Sequence, residues 1–458
     1  MKNPNGMKNR RILILALVLG AAVSCNTFTP DKFSDYVSEV TVLPTDNALR
    51  YTVKLDKKKD CSSQVYYRPA GETDWMLTDE TMIFLLPDTE YEYMVLAGSD
   101  YFVASDIQTF KTGSLPPEVP IYTVDLDSGT PSKGYLMQWQ ATNPGWLTFC
   151  DMKGRVVWYE KFDQAVRHVY CDREKGKIAL LTGFREGVSS QKFQRLCDKI
   201  IEIDMLGNRL LEWTASEENV PYPHHDIKIM PDGNLLIFNA VVKKFDLSSI
   251  GGEADTDVWG DGFTIITPSG EVKKKWDVFG AIDPVNDDYL DAVELSYDLL
   301  HGNSVAWDSK GDFYITLNRL NELWKIDGKT SQVLYRLGEH GNIELSGKYP
   351  EGGLHSAVPL EPDKVLCYNN GAGENPRSRA QVYKIDPGAK TAMFELDVVI
   401  DPEYSSADRS NVELLPDGQT LMFASTLARK CVFTDLSGRP LKVISRTGIS
   451  YRSHYFEK

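Results

Sequence analysis

Residues 300–319 read LHGNSVAWDSKGDFYITLNR, two short apolar strands about a polar turn. Ser304-Val305-Ala306-Trp307 alternates as the first strand, and the run from Phe313 to Leu317 forms the second. The polar run 308–312, with Gly311 inside it, supplies the turn. Alternation along a strand aims His301 and Asn303 to one face, and antiparallel pairing returns Arg319 to their side. One mouth of this hairpin therefore collects an imidazole, a carboxamide and a guanidinium, a trio able to hold an anion and move a proton.

The same pattern recurs along the chain, and the recurrence decides the fold. Residues 169–183, 226–240, 356–370 and 411–425 each show a strand, a turn such as MPDGN or LPDGQ, and a second apolar strand. A second pair with its own turn follows each of the five, as in IIEIDMLGNRLLEW, LWKIDGKTSQVLYRL and CVFTDLSGRPLKVI. A less regular first unit runs from Tyr135 through Gly154 to Tyr159. Six such units of four strands predict an all-β protein dominated by a six-bladed β-propeller over residues 135–458. Blade starts fall near residues 135, 168, 225, 303, 355 and 410.

Ahead of the repeat, residues 37–113 alternate as strands and predict a small β-sandwich. Within it LPDTEYEY (86–93) delivers a Tyr to a strand start, where its hydroxyl can bond back to the backbone. With QTFKT at 108–112, this part resembles a fibronectin type III domain. Residues 114–134, with LPPEVP, read as a stiff linker. At the N-terminus Lys8, Arg10 and Arg11 precede the apolar run 12–23, too short to span a bilayer as a helix, and then Ser24-Cys25. This resembles a bacterial lipoprotein signal over residues 1–24, with Cys25 lipidated and 25–36 as tether. Met7 is an alternative start. The expected location is periplasmic or at the cell surface, lipid-anchored, with the outer membrane favoured because Asn26 follows Cys25.

Charge narrows the partners. The chain of 458 residues carries a net charge of −15, and loss of Lys2, Lys8, Arg10 and Arg11 with the leader makes it −19. A phosphate backbone wants a basic face, so nucleic acid is not expected. Six cysteines remain beyond Cys25, at no zinc spacing and mostly in apolar runs, and are expected as buried thiols.

Aligning the units on the Gly of the first turn locates the site. His168, His225, Asn303 and Ser410 each lie eight residues before that Gly, and His355 takes the same slot in the unit that lacks it. The innermost strands of a propeller start at one mouth of its channel, so these residues form a ring, with His301 beside it. His224 points away from His225, so only one of the two faces the channel. A histidine cluster suggests a metal first, but no carboxylate joins it at ligand spacing and Arg319 opposes a cation, so neither metal nor cofactor is expected. Arg, Asn and several His without a carboxylate favour an anionic substrate. A neutral imidazole is a nucleophile and a second one an acid or base, which points to transfer of a charged group through a covalent histidine.

PHHDI at 223–227, HGNS at 301–304, Asn318-Arg319, and Leu354-His355 leading into VLCYNNG and later SRAQVYKID together resemble the bacterial arylsulfate sulfotransferase family, in order over residues 135–435. The resemblance implies ping-pong transfer from a phenolic sulfate ester to a phenol, independent of a nucleotide sulfate donor. It assigns His355 as the nucleophile, His301 as acid and then base, and Arg319 and Asn303 as holders of the sulfuryl oxygens. His225 completes the anion pocket, and Thr426, in the Arg319 slot of the last blade, lines it. Some family members carry a disulfide loop between the matching Arg and nucleophile, whereas 320–354 here has no cysteine. The competing readings are a non-enzymatic propeller lipoprotein that binds a carbohydrate or protein, and a hydrolase or lyase on the same scaffold. A homo-oligomer stays open.

Overall fold

Apolar alternation becomes strand almost throughout. In the computed structural model, which describes residues 31–184, 196–373 and 376–457, residues 122–456 form six sheets of four or five strands. Cys25 and the leader lie outside the described residues. The hairpin read from the sequence is present as Gly302–Trp307 and Phe313–Leu317, extended into a four-stranded sheet by Glu322–Ile326 and Val333–Leu337.

The sheets follow one another in a closed ring, because each adjacent pair shares an apolar cluster. Phe149, Val166 and Leu180 join the first and second sheets, and Leu181, Ile227 and Ile237 the second and third. Phe263, Val305 and Trp324 join the third and fourth, and Tyr314, Val365 and Cys367 the fourth and fifth. Tyr368, Val412 and Phe423 join the fifth and sixth, and Cys150, Met422 and Phe433 close the ring from sixth to first. Truncating a buried aromatic such as Trp324 to Ala would cost about 3–5 kcal/mol.

Ring closure corrects two expectations. Tyr135 does not open an innermost strand: Tyr135–Gln140 is the second strand of its sheet, and the C-terminal Ser453–Phe456 pairs inside it, Tyr135 opposite Phe456. Residues 114–134 are more than a linker, since Tyr122–Asp127 pairs with Pro440–Arg446 as an added edge of the sixth sheet. The reason is that radial sheets leave an open seam unless both chain ends pair across it.

The aligned glycines have a backbone reason. Gly176, Gly233, Gly311 and Gly418 all take positive φ, from 62° to 87°, in the turn between the first two strands. In the fifth sheet Asp363 takes that role at φ 65°. Its carboxylate accepts from Lys325 Nζ at 2.8 Å and from the Tyr335 hydroxyl at 3.1 Å, bonds that hold the left-handed residue in place.

The N-terminal domain packs a three-stranded sheet (Val37–Pro44, Tyr51–Lys57, Thr81–Met82) against a five-stranded one through Val53, Val65, Tyr91 and Val95. Short strands Met76–Thr78 and Phe102–Ala104 supply what the sequence pattern left irregular. The Tyr91 hydroxyl accepts the Leu86 N–H at 2.8 Å, the turn-to-strand bond expected there. Asn47 Nδ2 donates to the Tyr159 carbonyl at 2.7 Å and Arg50 pairs with Glu160, tying this domain to the first sheet of the ring. All six cysteines beyond Cys25 are buried, and none is in a disulfide.

Candidate active site

The starts of the innermost strands are irregular in a shared way. Pairing jumps from Pro223 to Ile227, from Gly302 to Ser304 and from Leu354 to Ser356, so His225, Asn303 and His355 fall in bulges without a ladder partner. A bulge frees a side chain from strict alternation and re-aims it. The second sheet differs: there the skipped residue is Arg167, and His168 pairs with Leu181. His225 and His301 also take positive φ, 56° and 53°, so alternation alone does not set where they point.

These starts converge. The His168 and His225 rings lie 5.6 Å apart, those of His225 and His301 5.7 Å apart, and His301 is close enough to His355 to act on its charge. His224 is fully buried and turned back: its Nδ1 meets His225 Nδ1 at 2.6 Å and its Nε2 lies 3.4 Å from Asp261. His225 is therefore the member of the pair that faces the other imidazoles. Arg319 returns beside the strand start as the hairpin requires, its N–H donating to the Leu300 carbonyl at 3.2 Å.

Asp298 overturns the expectation of a carboxylate-free site. It is buried, 2.9 Å from His301 Nδ1 and 3.5 Å from Arg319 Nη2, and so bridges the two. His301 and Arg319 keep side-chain exposures of 22% and 31%, which makes them the pair that reaches solvent. Asp298 precedes His301 by three residues in an irregular segment, where period-based reading has no register to count from. Among the described residues no group of three or more His, Cys, Asp or Glu is arranged to hold a metal ion.

His355 has the opposite setting. Its Nε2 accepts the Arg409 N–H at 3.1 Å, and its Nδ1 lies 3.2 Å from the Asn318 carboxamide. The carboxamide atom facing the ring is Asn318 Nδ2, which also donates to the Leu354 carbonyl at 3.3 Å. That approach depends on Gly353, where a Cβ would stand 2.0 Å from Asn318 Nδ2. Burial, with His301 and Arg452 close by, pushes the His355 ring down to about 3. Burial also holds His168 well below the ordinary imidazole range, and among the described residues neither of its ring nitrogens has a hydrogen-bond partner.

Asn303 is fully buried, with Nδ2 donating to the Leu354 carbonyl at 3.3 Å. Thr426 is buried like Asn303. It has no exposed surface, its N–H donates to Ser410 Oγ at 3.0 Å, and its hydroxyl donates to the Tyr451 carbonyl at 3.0 Å. It braces the 409–410 backbone, both residues of which take positive φ, next to the Arg409 N–H that meets His355. Arg452 and Tyr451 escaped the sequence reading because they lie beyond the last repeat unit.

Comparison with known proteins adds the following. Solved structures with a similar chain path include a protein of unknown function from Bacteroides caccae, 12% identical, TM-score 0.45, covering 71% of this chain and 100% of its own. The periplasmic gluconolactonase PpgL of Pseudomonas aeruginosa is 10% identical, TM-score 0.42, covering 70% and 99%. The β-propeller domain of Cps50 (Swd1) from Myceliophteria thermophila is 10% identical, TM-score 0.38, covering 70% and 84%. No curated protein matches the chain. The family model described as arylsulfotransferase (ASST) matches residues 123–444, a span that runs from the added edge strand to the end of the sixth sheet and holds every ring residue described above except Tyr451 and Arg452. The chain belongs to the arylsulfotransferase family.

Proposed function

We propose that this protein moves a sulfuryl group from a phenolic sulfate ester to a phenol through a sulfo-histidine at His355, with no nucleotide sulfate donor. The observation that carries the reading is the contrast between His355, a buried neutral imidazole, and His301, an imidazole backed by Asp298 and reaching solvent. In the first half-reaction a ring nitrogen of His355 attacks sulfur, the bond from sulfur to the phenolic oxygen breaks, and the phenolate leaves with a proton from His301. In the second, a phenol gives its proton to His301 as its oxygen attacks sulfur, and the N–S bond breaks. Arg319 and Asn303 hold the non-bridging oxygens and His225 completes the anion pocket. Positioning and charge stabilisation dominate, as for phosphoryl transfer.

In the resting site the Nε2 lone pair is occupied by the Arg409 N–H. Substrate displaces that donor, which then stands within reach of a sulfuryl oxygen. We further propose that Cys25 anchors the mature chain by lipid in the periplasm or at the cell surface, the outer membrane fitting Asn26 best. The two-sheet N-terminal domain and its Tyr91–Leu86 bond support a fibronectin type III-like spacer.

The test is incubation with a chromogenic aryl sulfate, with and without phenol, followed by mass spectrometry of the 355-containing peptide. Phenol-dependent release with a sulfo group on His355 supports transfer. Release without acceptor means hydrolysis, and no release means binding. Full transfer by His355→Ala removes the mechanism.

A further inference from the structure

The C-terminal segment does more than close the ring. Ser453–Phe456 is held on one side by strand pairing to residues 135–138 and on the other by Asn411, whose Nδ2 donates to the Ser453 carbonyl at 2.8 Å and whose Oδ1 accepts the Ser453 N–H at 3.0 Å. The two residues just before that strand enter the site. The Tyr451 ring stands 4.7 Å from the His168 ring and 5.7 Å from that of His225. Arg452 is buried, and its Nη2 donates to the Asn303 carbonyl at 2.6 Å and to the His355 carbonyl at 2.9 Å.

Asn303 and His355 are the bulged residues of two neighbouring sheets, so their carbonyls lack the ladder bonds that strand pairing would give. Buried carbonyls must find a donor elsewhere. One guanidinium serves both, which fixes the two strand starts relative to each other. Its charge is met by Asp226, buried and 3.3 Å from Nη1, whose Oδ2 also accepts the Val305 N–H at 3.1 Å. The same guanidinium lies close enough to His355 to oppose its protonation, as does His301. The other groups facing the ring, the Arg409 N–H, Asn318 and Asn370, carry no net charge on the atoms they present.

We infer that Arg452 is a positioning residue, a clamp from the chain's far end that sets the His355 nucleophile against Asn303. The inference rests on the sulfuryl-transfer reading for its kinetic consequence, but the clamp itself has a readout that needs no activity. Arg452→Lys keeps the charge and loses the fork, while Arg452→Met keeps bulk and loses both. Each is compared with wild type by aryl-sulfate transfer and by NMR of ring-labelled histidine, the His355 signal being assigned by its loss in His355→Ala.

Arg452→Lys is expected to stay folded and lose about 10- to 100-fold in kcat with little change in KM, the cost of a misplaced nucleophile. Its His355 resonance is displaced but titrates as low as in wild type. Arg452→Met loses more, and its His355 resonance is displaced further, while burial and His301 still hold the ring below the ordinary imidazole range. If Arg452→Met does not fold, Arg452→Lys decides alone. Wild-type kcat together with an unmoved His355 resonance in Arg452→Lys overturns the clamp. If the wild-type protein transfers nothing, the functional reading fails and the resonance in Arg452→Lys still decides for or against the clamp.

Discussion

His301 and His355 stand at the starts of neighbouring inner strands, and the chain surrounds them in opposite ways. Behind His301 is a buried carboxylate that also holds Arg319, and the ring reaches solvent. Around His355 are N–H donors, a carboxamide and a buried guanidinium, and the residue is buried. The first setting complements a ring that carries a positive charge, as an acid must before it gives up its proton. The second makes protonation costly and leaves a lone pair at a pH where free imidazole is largely charged. One residue type at two neighbouring strand starts is thus divided into two roles by its neighbours.

The largest way to break this contrast is Asp298→Asn. The carboxamide keeps the shape but removes the charge shared by His301 and Arg319. Transfer is expected to fall about 10²- to 10³-fold, within the range that a positioned acid–base group supplies. The loss should depend on the leaving group: full with unsubstituted phenyl sulfate, much smaller with a nitrophenyl sulfate whose phenolate needs no proton. Equal losses across a series of phenyl sulfates would remove His301 from the acid role.

Arg319→Lys is the next smaller change. It retains a charge near Asp298 but cannot present two parallel N–H groups to a sulfuryl group. A fall of about 10²-fold that does not vary with the leaving group is expected, matching loss of one oxyanion donor. Steady-state rates over the same ester series check it. A loss that does vary with the ester would place Arg319 on the proton-transfer side of the contrast.

The two halves of the site were unequally legible in the sequence. His225, Asn303 and His355 could be found by counting from Gly233, Gly311 and the Asp363 turn, because a strand carries register and these turns fix its origin. The ring of sheets was legible for the same reason. Asp298 was not, since it lies on an irregular stretch that tertiary packing folds under His301. Arg452 was hidden more deeply: its position depends on the last strand pairing with the first sheet, a contact between residues 321 positions apart, Tyr135 and Phe456. The partners of Thr426 were not legible either, since its hydrogen bonds to Ser410 and the Tyr451 carbonyl depend on a segment beyond the last repeat unit.

His168 offers the smallest effect on rate and the sharpest check on what makes a site residue here. It occupies the slot of His225 by sequence, yet its strand is bulged at Arg167 instead, and its ring packs against Tyr451. Burial keeps it neutral, as it does His355. The sign of the resulting pH dependence follows from the direction of these shifts. Both rings titrate lower in the folded chain than the ordinary 6.5, so the unfolded chain binds more protons as pH drops below that value. Stability is full above pH 6.5 and declines as pH falls toward the folded-state values. A ring that stays neutral at pH 5 costs about 2 kcal/mol there relative to neutral pH. His168→Phe removes one such ring, so its melting temperature should drop less than that of wild type between pH 7.5 and pH 5. Transfer at pH 7.5 should change by less than about threefold, the neutral range for a packing residue away from the reacting atoms. A larger loss of activity would move His168 from packing into the anion pocket.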